Sequence, residues 1–205
     1  MGQERYNLSF TTASLRAEVA RVVAETFLQL RDWRATTARI RGNNALQCRT
    51  AKSSELLERE LRKRIQLLTA EQIAILANAT TDDRTAMAWL AMMKRSEFVF
   101  AFTTEVLAPK LLARDPVLRH SDYEGFVDQK AAHHPELRAL TEQSRGKIRQ
   151  VLLKMLVEAG LLVKGKPIGV IQRPVLSPQV IRAIEADDPR WLLGFLVPDA
   201  EVTAR

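Results

Sequence analysis

The stretch DDRTAMAWLAMMKRSEFVFAFTTEVLAPKLL, Asp82–Leu112, decides the fold. Met87, Leu90, Ala91, Met93, Lys94, Phe98, Phe102 and Val106 recur along it at helical spacing, and apolar side chains occupy much of its circumference. A helix that is apolar on most sides must be surrounded by other helices. The sequence therefore predicts one long helix over Asp82–Leu112 in the middle of a helical bundle.

The flanking sequence supplies the neighbours. Leu15, Val19, Val22, Val23, Thr26, Phe27 and Leu30 share one helical face, with Thr11 or Thr12 as the expected cap. DWRATTARIRGNN predicts a shorter helix stopped by Gly42-Asn43-Asn44, and SSELLERELRKRIQLL a third helix capped by Ser53 or Ser54. Thr69 to Gln72 fits a capping box, a turn follows at TTDD, and Ser121 to Glu124 fits a second box. Ser177-Pro178 places a cap before a proline suited to a first helical turn, and the tail DAEVTAR is expected to fray.

Composition bounds the function. With 205 residues, 46% of them hydrophobic, the chain can bury a sizeable core. Its 31 Lys and Arg against 24 Asp and Glu favour an anionic partner over a neutral ligand. A single Cys48 excludes an internal disulfide and is expected to be a small buried or half-buried residue. The sequence offers no membrane span and no signal-peptide core, so the protein is expected to be cytoplasmic, with no membrane partner. The start MGQERY misses the Ser or Thr a myristoylation site needs. Net charge runs +6 over residues 1–70, −2 over 71–140 and +3 over 141–205. A soft boundary near residue 140 separates a helical bundle, 1–140, from a segment, 141–205, holding a basic helix, a short hairpin and C-terminal helices. One continuous domain is the alternative.

The segment SRGKIRQVLLKMLVEAGLLVKGKPIGVIQRP, Ser144–Pro174, carries seven basic side chains and one acidic, Glu158. Ile148, Val151, Leu152, Met155, Leu156 and Ala159 form a buried stripe, with Lys147 and Lys154 on one flank and Arg145 and Arg149 on the other. Gly160 ends the helix, and Leu161–Lys164 and Ile168–Gln172 form a hairpin about Gly165-Lys166-Pro167. A basic helix followed by a basic hairpin resembles the recognition helix and wing of winged-helix DNA-binding domains. In that reading Ser144, Arg145, Lys147 and Gln150 reach bases or phosphates, Arg149 and Lys154 flank them, and Lys164, Lys166 and Arg173 meet phosphates. The bland alternative is an amphipathic helix with a solvated basic rim. Against it stands the shortage of acidic partners within the segment.

A second basic cluster, Arg31, Arg34, Arg39, Arg41, Arg49 and Lys52, is opposed locally by Asp32. Its arginines can clamp phosphates and donate to base edges. Alternatively Trp33 and Leu46 pin the loop and the arginines only keep it soluble. In ERELRKRIQ, Glu55, Glu58 and Glu60 lie within helical reach of Arg59, Arg62, Lys63 and Arg64, which predicts a solvated face. Three histidines, two of them adjacent before a proline, suit no metal, and no zinc, phosphate-loop or serine-hydrolase motif occurs. The expectation is a protein without catalytic residues, cofactor or small-molecule substrate.

YNLSFTT, the Trp of RDWRATTARI, NALQCRTAKSS, AWLAMMKRSEFVFAFTTEVL and SRGKIRQVLLKMLVEAGLL together resemble the BrxA family of the bacterial BREX phage-defence systems. The resemblance spans roughly residues 6–162. It implies a mainly α fold similar to the antitermination factor NusB, binding of double-stranded DNA without an established sequence preference, no known catalysis, and other BREX proteins as partners. It assigns no DNA-contacting residues. A winged-helix regulator reading an operator, an RNA binder and an adaptor docking an acidic protein stay open as rivals.

Overall fold

The computed structural model describes residues 5–203, which are mainly α-helical with one small sheet. They pack as two compact units. The helical unit takes Thr12–Arg95 and Leu176–Asp188; the mixed unit takes the segment up to Thr11, Ser96–Val175 and the chain from Pro189 onward. Residue 140 lies inside the mixed unit, because the charge profile that suggested a boundary there follows surface and not core.

The helical unit opens with α1 (Ala17–Leu30), α2 (Trp33–Gly42), α3 (Ala51–Ile65), α4 (Ala70–Asn78) and α5 (Thr81–Arg95). Asp32 caps α2 by accepting the Ala35 N–H at 2.6 Å. The expected box at α4 is present: Gln72 accepts the Thr69 N–H at 3.0 Å and Thr69 the Gln72 N–H at 3.3 Å. α3 starts ahead of Ser53, because Thr50 captures the Ser53 N–H at 3.1 Å. α1 starts later than expected, five residues past Thr12. The buried Arg64 guanidinium is the reason: it donates to the Ala13 and Ser14 carbonyls, both at 2.8 Å, and holds that segment out of the helix. Arg64 also pairs with buried Glu60 at 3.0 Å, and Glu58 is buried between Arg62 at 2.8 Å and Arg41 at 3.0 Å. The face expected to be solvated is so only in part: Glu55, Arg59 and Lys63 are exposed, whereas Glu58, Glu60 and Arg64 form a buried ionic seam. Every residue from Ala86 to Met93 is buried, as the apolar circumference of α5 demands.

The single helix expected over Asp82–Leu112 is broken at Ser96, which is extended (φ −139°, ψ 103°). Ser96 is fully buried and its hydroxyl donates to the Asn7 carbonyl at 2.7 Å, a bond within the mixed unit. Beyond it, α6 (Glu97–Phe102) passes through a π-helical turn (Thr103–Leu107) into α7 (Ala108–Leu112). Pro109 lacks an amide, and the Thr103 and Thr104 hydroxyls donate back to the Val99 and Phe100 carbonyls at 2.9 and 3.1 Å, which loosens the ladder there. There follow β1 (Val117–Leu118), α8 (His120–Ala131), α9 (Pro135–Arg138), α10 (Glu142–Glu158), β2 (Leu162–Lys164) and β3 (Gly169–Ile171). α8 starts one residue ahead of the box expected at Ser121, with Asp122 accepting the Arg119 N–H at 2.7 Å.

Phe98 centres the mixed unit's core, with Tyr6, Phe10 and Phe126 rings at 5.5, 6.3 and 5.4 Å. The strands are antiparallel in the order β1-β3-β2, with Val170 opposite Val117 on one side and Val163 on the other. β3 begins at Gly169 because a Cβ there would sit 2.4 Å from the Val163 carbonyl oxygen. α11 (Pro178–Glu185) then rejoins the helical unit, capped as expected by Ser177 accepting the Val180 N–H at 3.3 Å. Gln72 donates to the Ala183 carbonyl at 2.8 Å, and Lys94 pairs with Asp187. A 3₁₀ segment (Pro189–Phe195) and α12 (Asp199–Thr203) complete the mixed unit. The first five residues of the tail expected to fray are therefore helical, and its last two lie outside the described residues.

Candidate nucleic-acid interface

α10 buries the stripe its spacing predicts, Ile148, Val151, Leu152, Met155, Leu156 and Ala159, and thereby turns its two basic flanks outward in different directions. Thr141 caps it by accepting the Ser144 N–H at 3.2 Å. The arginine flank faces α8. Arg145 pairs with Asp128 at 3.3 Å, and Arg149 pairs with Glu124 while its guanidinium lies 5.9 Å from the Tyr123 ring. Burial pushes the Tyr123 phenol up to about 12. On the other flank Lys154 reaches Glu158 at 3.8 Å, and Lys147 donates to Gln150 at 3.4 Å.

At the hairpin, Lys164 and Lys166 are exposed. Arg173 is held by both oxygens of Glu201, at 3.1 and 2.8 Å, and its pKa is raised by that hydrogen bond against the opposing effect of burial. Part of the acidic complement that the segment itself lacks therefore comes from α8 and α12, so the shortage read from sequence was a shortage of local partners only. Among the described residues Lys147, Lys164 and Lys166 pair with no carboxylate.

The second cluster belongs to the helical unit. Trp33 stacks on Phe27 at 3.9 Å and Leu46 is buried, so both anchor their segments. Arg34 is exposed on α2 and Arg39 reaches Gln29 at 3.4 Å. Arg41 is shared between Glu58 and, at 3.5 Å, Glu55. Arg41, Arg49 and Lys52 line one cavity of about 720 Å³ at the start of α3, which Arg34 and Arg39 do not line. Sequence reasoning missed Ser54 and half-buried Cys48 on the same wall. By sequence Ser54 is a cap candidate, and nothing in its neighbourhood signals that its hydroxyl is buried without a partner among the described residues.

Among the described residues no group of three His, Cys, Asp or Glu side chains is placed to hold a metal ion, and no helix is long and apolar enough to cross a membrane. His134 is buried, stacked on Tyr6 at 3.8 Å and in contact with Glu136 at 3.0 Å.

The fold and these surfaces define a small, mainly α-helical protein with basic faces on each of two units. Its fold is shared with the crystal structure of an uncharacterized protein from Magnetospirillum magneticum, with a TM-score of 0.79 at 19% identity, over 94% of this chain and 98% of that one. Residues 4–188 match the family described as BrxA, and the chain belongs to that family. Relatives named BREX protein BrxA include one from Bacillus cereus (strain H3081.97), 24% identical over 70% of this chain and 72% of its own length. Another, from Escherichia coli O9:H4 (strain HS), is 26% identical over 71% of this chain and 68% of its own.

Proposed function

We propose that this protein is a non-enzymatic component of a BREX phage-defence system that binds double-stranded DNA through phosphate contacts, working beside other BREX proteins. The observation that carries the reading is the set of exposed, carboxylate-free lysines Lys147, Lys164 and Lys166 on α10 and the hairpin. Support also comes from topology. The order β1, α8, α9, α10, β2, β3 with the sheet order β1-β3-β2 is what a winged helix requires, with α10 as the recognition helix and β2–β3 as the wing. Phosphate contacts made by lysines release counterions, so affinity falls steeply with salt. Gln150 and Ser144 are the exposed base-reading groups on the first turns of α10, a small inventory that favours little sequence preference. Arg145, Arg149, Lys154 and Arg173 are braced by carboxylates and act, in this reading, as secondary contacts.

Fluorescence anisotropy with labelled duplex, single strand and hairpin RNA tests the proposal. Duplex is expected to bind best, and Lys147→Ala/Lys164→Ala/Lys166→Ala to lower the slope of log affinity against log salt by about 3, uniformly across sequences. Preference for RNA would favour a NusB-like RNA-binding role. Absence of binding to all three would favour a basic face that docks an acidic protein.

A further inference from the structure

We propose that the mixed unit carries a docking cavity for a partner protein, which inserts one bulky apolar side chain borne beside a lysine or arginine. The cavity, about 390 Å³ and half-open, lies wholly within that unit, and Leu111, Leu112, Leu193, Leu196, Val197 and Pro198 line it. Leu196 reaches this wall from a left-handed backbone conformation (φ 60°). It stands where a turn that ends a helix usually places glycine: its N–H donates to the Leu193 carbonyl at 3.0 Å, and the Val197 N–H donates to the Leu192 carbonyl at 3.3 Å. The Cβ of a leucine is disfavoured in that conformation, so the chain keeps an apolar side chain on the wall at a cost in strain. Leu112 lines the cavity too and is nevertheless 71% exposed, so the apolar surface runs on from the hollow to the outside. An apolar occupant releases the water held against both.

The polar groups around the hollow select the occupant. Thr104, on the wall, turns its hydroxyl back to the Phe100 carbonyl at 3.1 Å and aims no donor at a ligand, unlike the convergent polar groups that orient a small molecule. Arg173, which also lines the cavity, is held by both oxygens of Glu201 at 3.1 and 2.8 Å. Lys110 on α7 is held by Asp115 and Asp122 at 2.9 and 3.1 Å, and Arg114 beyond it does not line the cavity. The Asp199 carboxylate, on the lining, meets no cation among the described residues. The mouth is therefore left with an unmatched negative charge on a chain whose net charge is +7, which repels a duplex backbone and attracts a basic residue. The volume is near the low end of ligand pockets, roughly 300–1,000 Å³, and suits one aromatic or branched side chain. A single anchor seated in such a pocket can carry much of the affinity of an interface.

Isotope-labelled leucine methyl groups report occupancy by NMR, and the probes are the capped dipeptides acetyl-Phe-Arg-amide, acetyl-Phe-Glu-amide and acetyl-Ser-Arg-amide. Acetyl-Phe-Arg-amide is expected to shift the Leu111, Leu112, Leu193 and Leu196 methyls saturably and to bind about tenfold more tightly than acetyl-Ser-Arg-amide, the ratio for burying most of an aromatic side chain. Acetyl-Phe-Glu-amide should bind several-fold more weakly than its arginine counterpart, and Asp199→Asn should erase that difference. Ala108→Trp, which fills the hollow, should abolish the shifts in a protein that keeps its thermal transition. Leu112→Ser, at a position too exposed to disturb folding, should weaken binding several-fold as a second test. The Lys147→Ala/Lys164→Ala/Lys166→Ala protein should bind the dipeptides unchanged, which separates this cavity from the α10 reading. Absence of saturable shifts, shifts that survive both Ala108→Trp and Leu112→Ser, or equal affinity for the arginine and glutamate probes overturns the proposal. The same leucine shifts on concentrating the protein alone would identify a second copy as the occupant and overturn it too.

Discussion

Arg64 shows how one side chain sets local structure fifty residues away. Its fork satisfies Glu60 and the Ala13 and Ser14 carbonyls, all at 3.0 Å or closer, and keeps α1 from starting at its expected cap. Arg64→Leu leaves Glu60 buried without that partner, and we expect a loss of about 3–5 kcal/mol, visible as a lower thermal midpoint. Arg64→Lys should recover only part of it, since a single ammonium cannot match the planar fork. The chain's two tyrosines give a pH signature. Burial raises Tyr123 to about 12, and burial also raises Tyr6, against the pull of nearby Lys130. A phenol harder to ionise when folded contributes stability that is complete below about pH 10, the unfolded value, and lost as pH rises through the folded value. Absorbance at the tyrosinate band should therefore rise at higher pH than for free phenols, with the Tyr123 part appearing together with unfolding; a titration of both rings at the free-phenol pH in folded protein would show them to be wet.

At the scale of the element, α10 was legible because its stripe depends on spacing alone, and the same holds for the caps at Thr69 and Ser177. β1 was not, since two residues cannot display an alternation, and its pairing with β3 is settled more than fifty residues further along. The break at Ser96 escaped because Met93 and Phe98 are apolar on either side and a shift of phase leaves no mark in a helix buried all round. For the candidate site, the basic residues could be listed from sequence, but not which of them would be braced: Arg149 finds Glu124 from 25 residues away and Arg173 finds Glu201 from 28. The hairpin has one position without latitude. Gly169→Ala drives a methyl against the Val163 carbonyl, and we expect a cost of about 1–3 kcal/mol. Amide exchange should quicken at Gly165 and Gln172, whose N–H groups donate across the β2–β3 hairpin to the Ile168 and Leu161 carbonyls at 3.2 and 3.1 Å, while α10 stays protected; unchanged exchange would mean that the β2–β3 backbone relaxes freely.

On the scale of the whole molecule, the helical unit is assembled from two stretches of chain and the mixed unit from three. A cut at residue 140 severs α10 and the β2–β3 hairpin from α6, α8 and β1 of their own unit. The fragment 141–205, expressed alone, should show no cooperative thermal transition by circular dichroism; a sharp transition would establish it as an independent domain. The interleaving also bears on how the protein is born. The carbonyl that Gln72 needs belongs to Ala183, 111 residues later. At ordinary translation speeds that is a wait of roughly 5–20 s. Through that interval α4 leaves the ribosome with the flank destined for α11 still bare, so the nascent chain is a customer for chaperones until almost its last helix has been made.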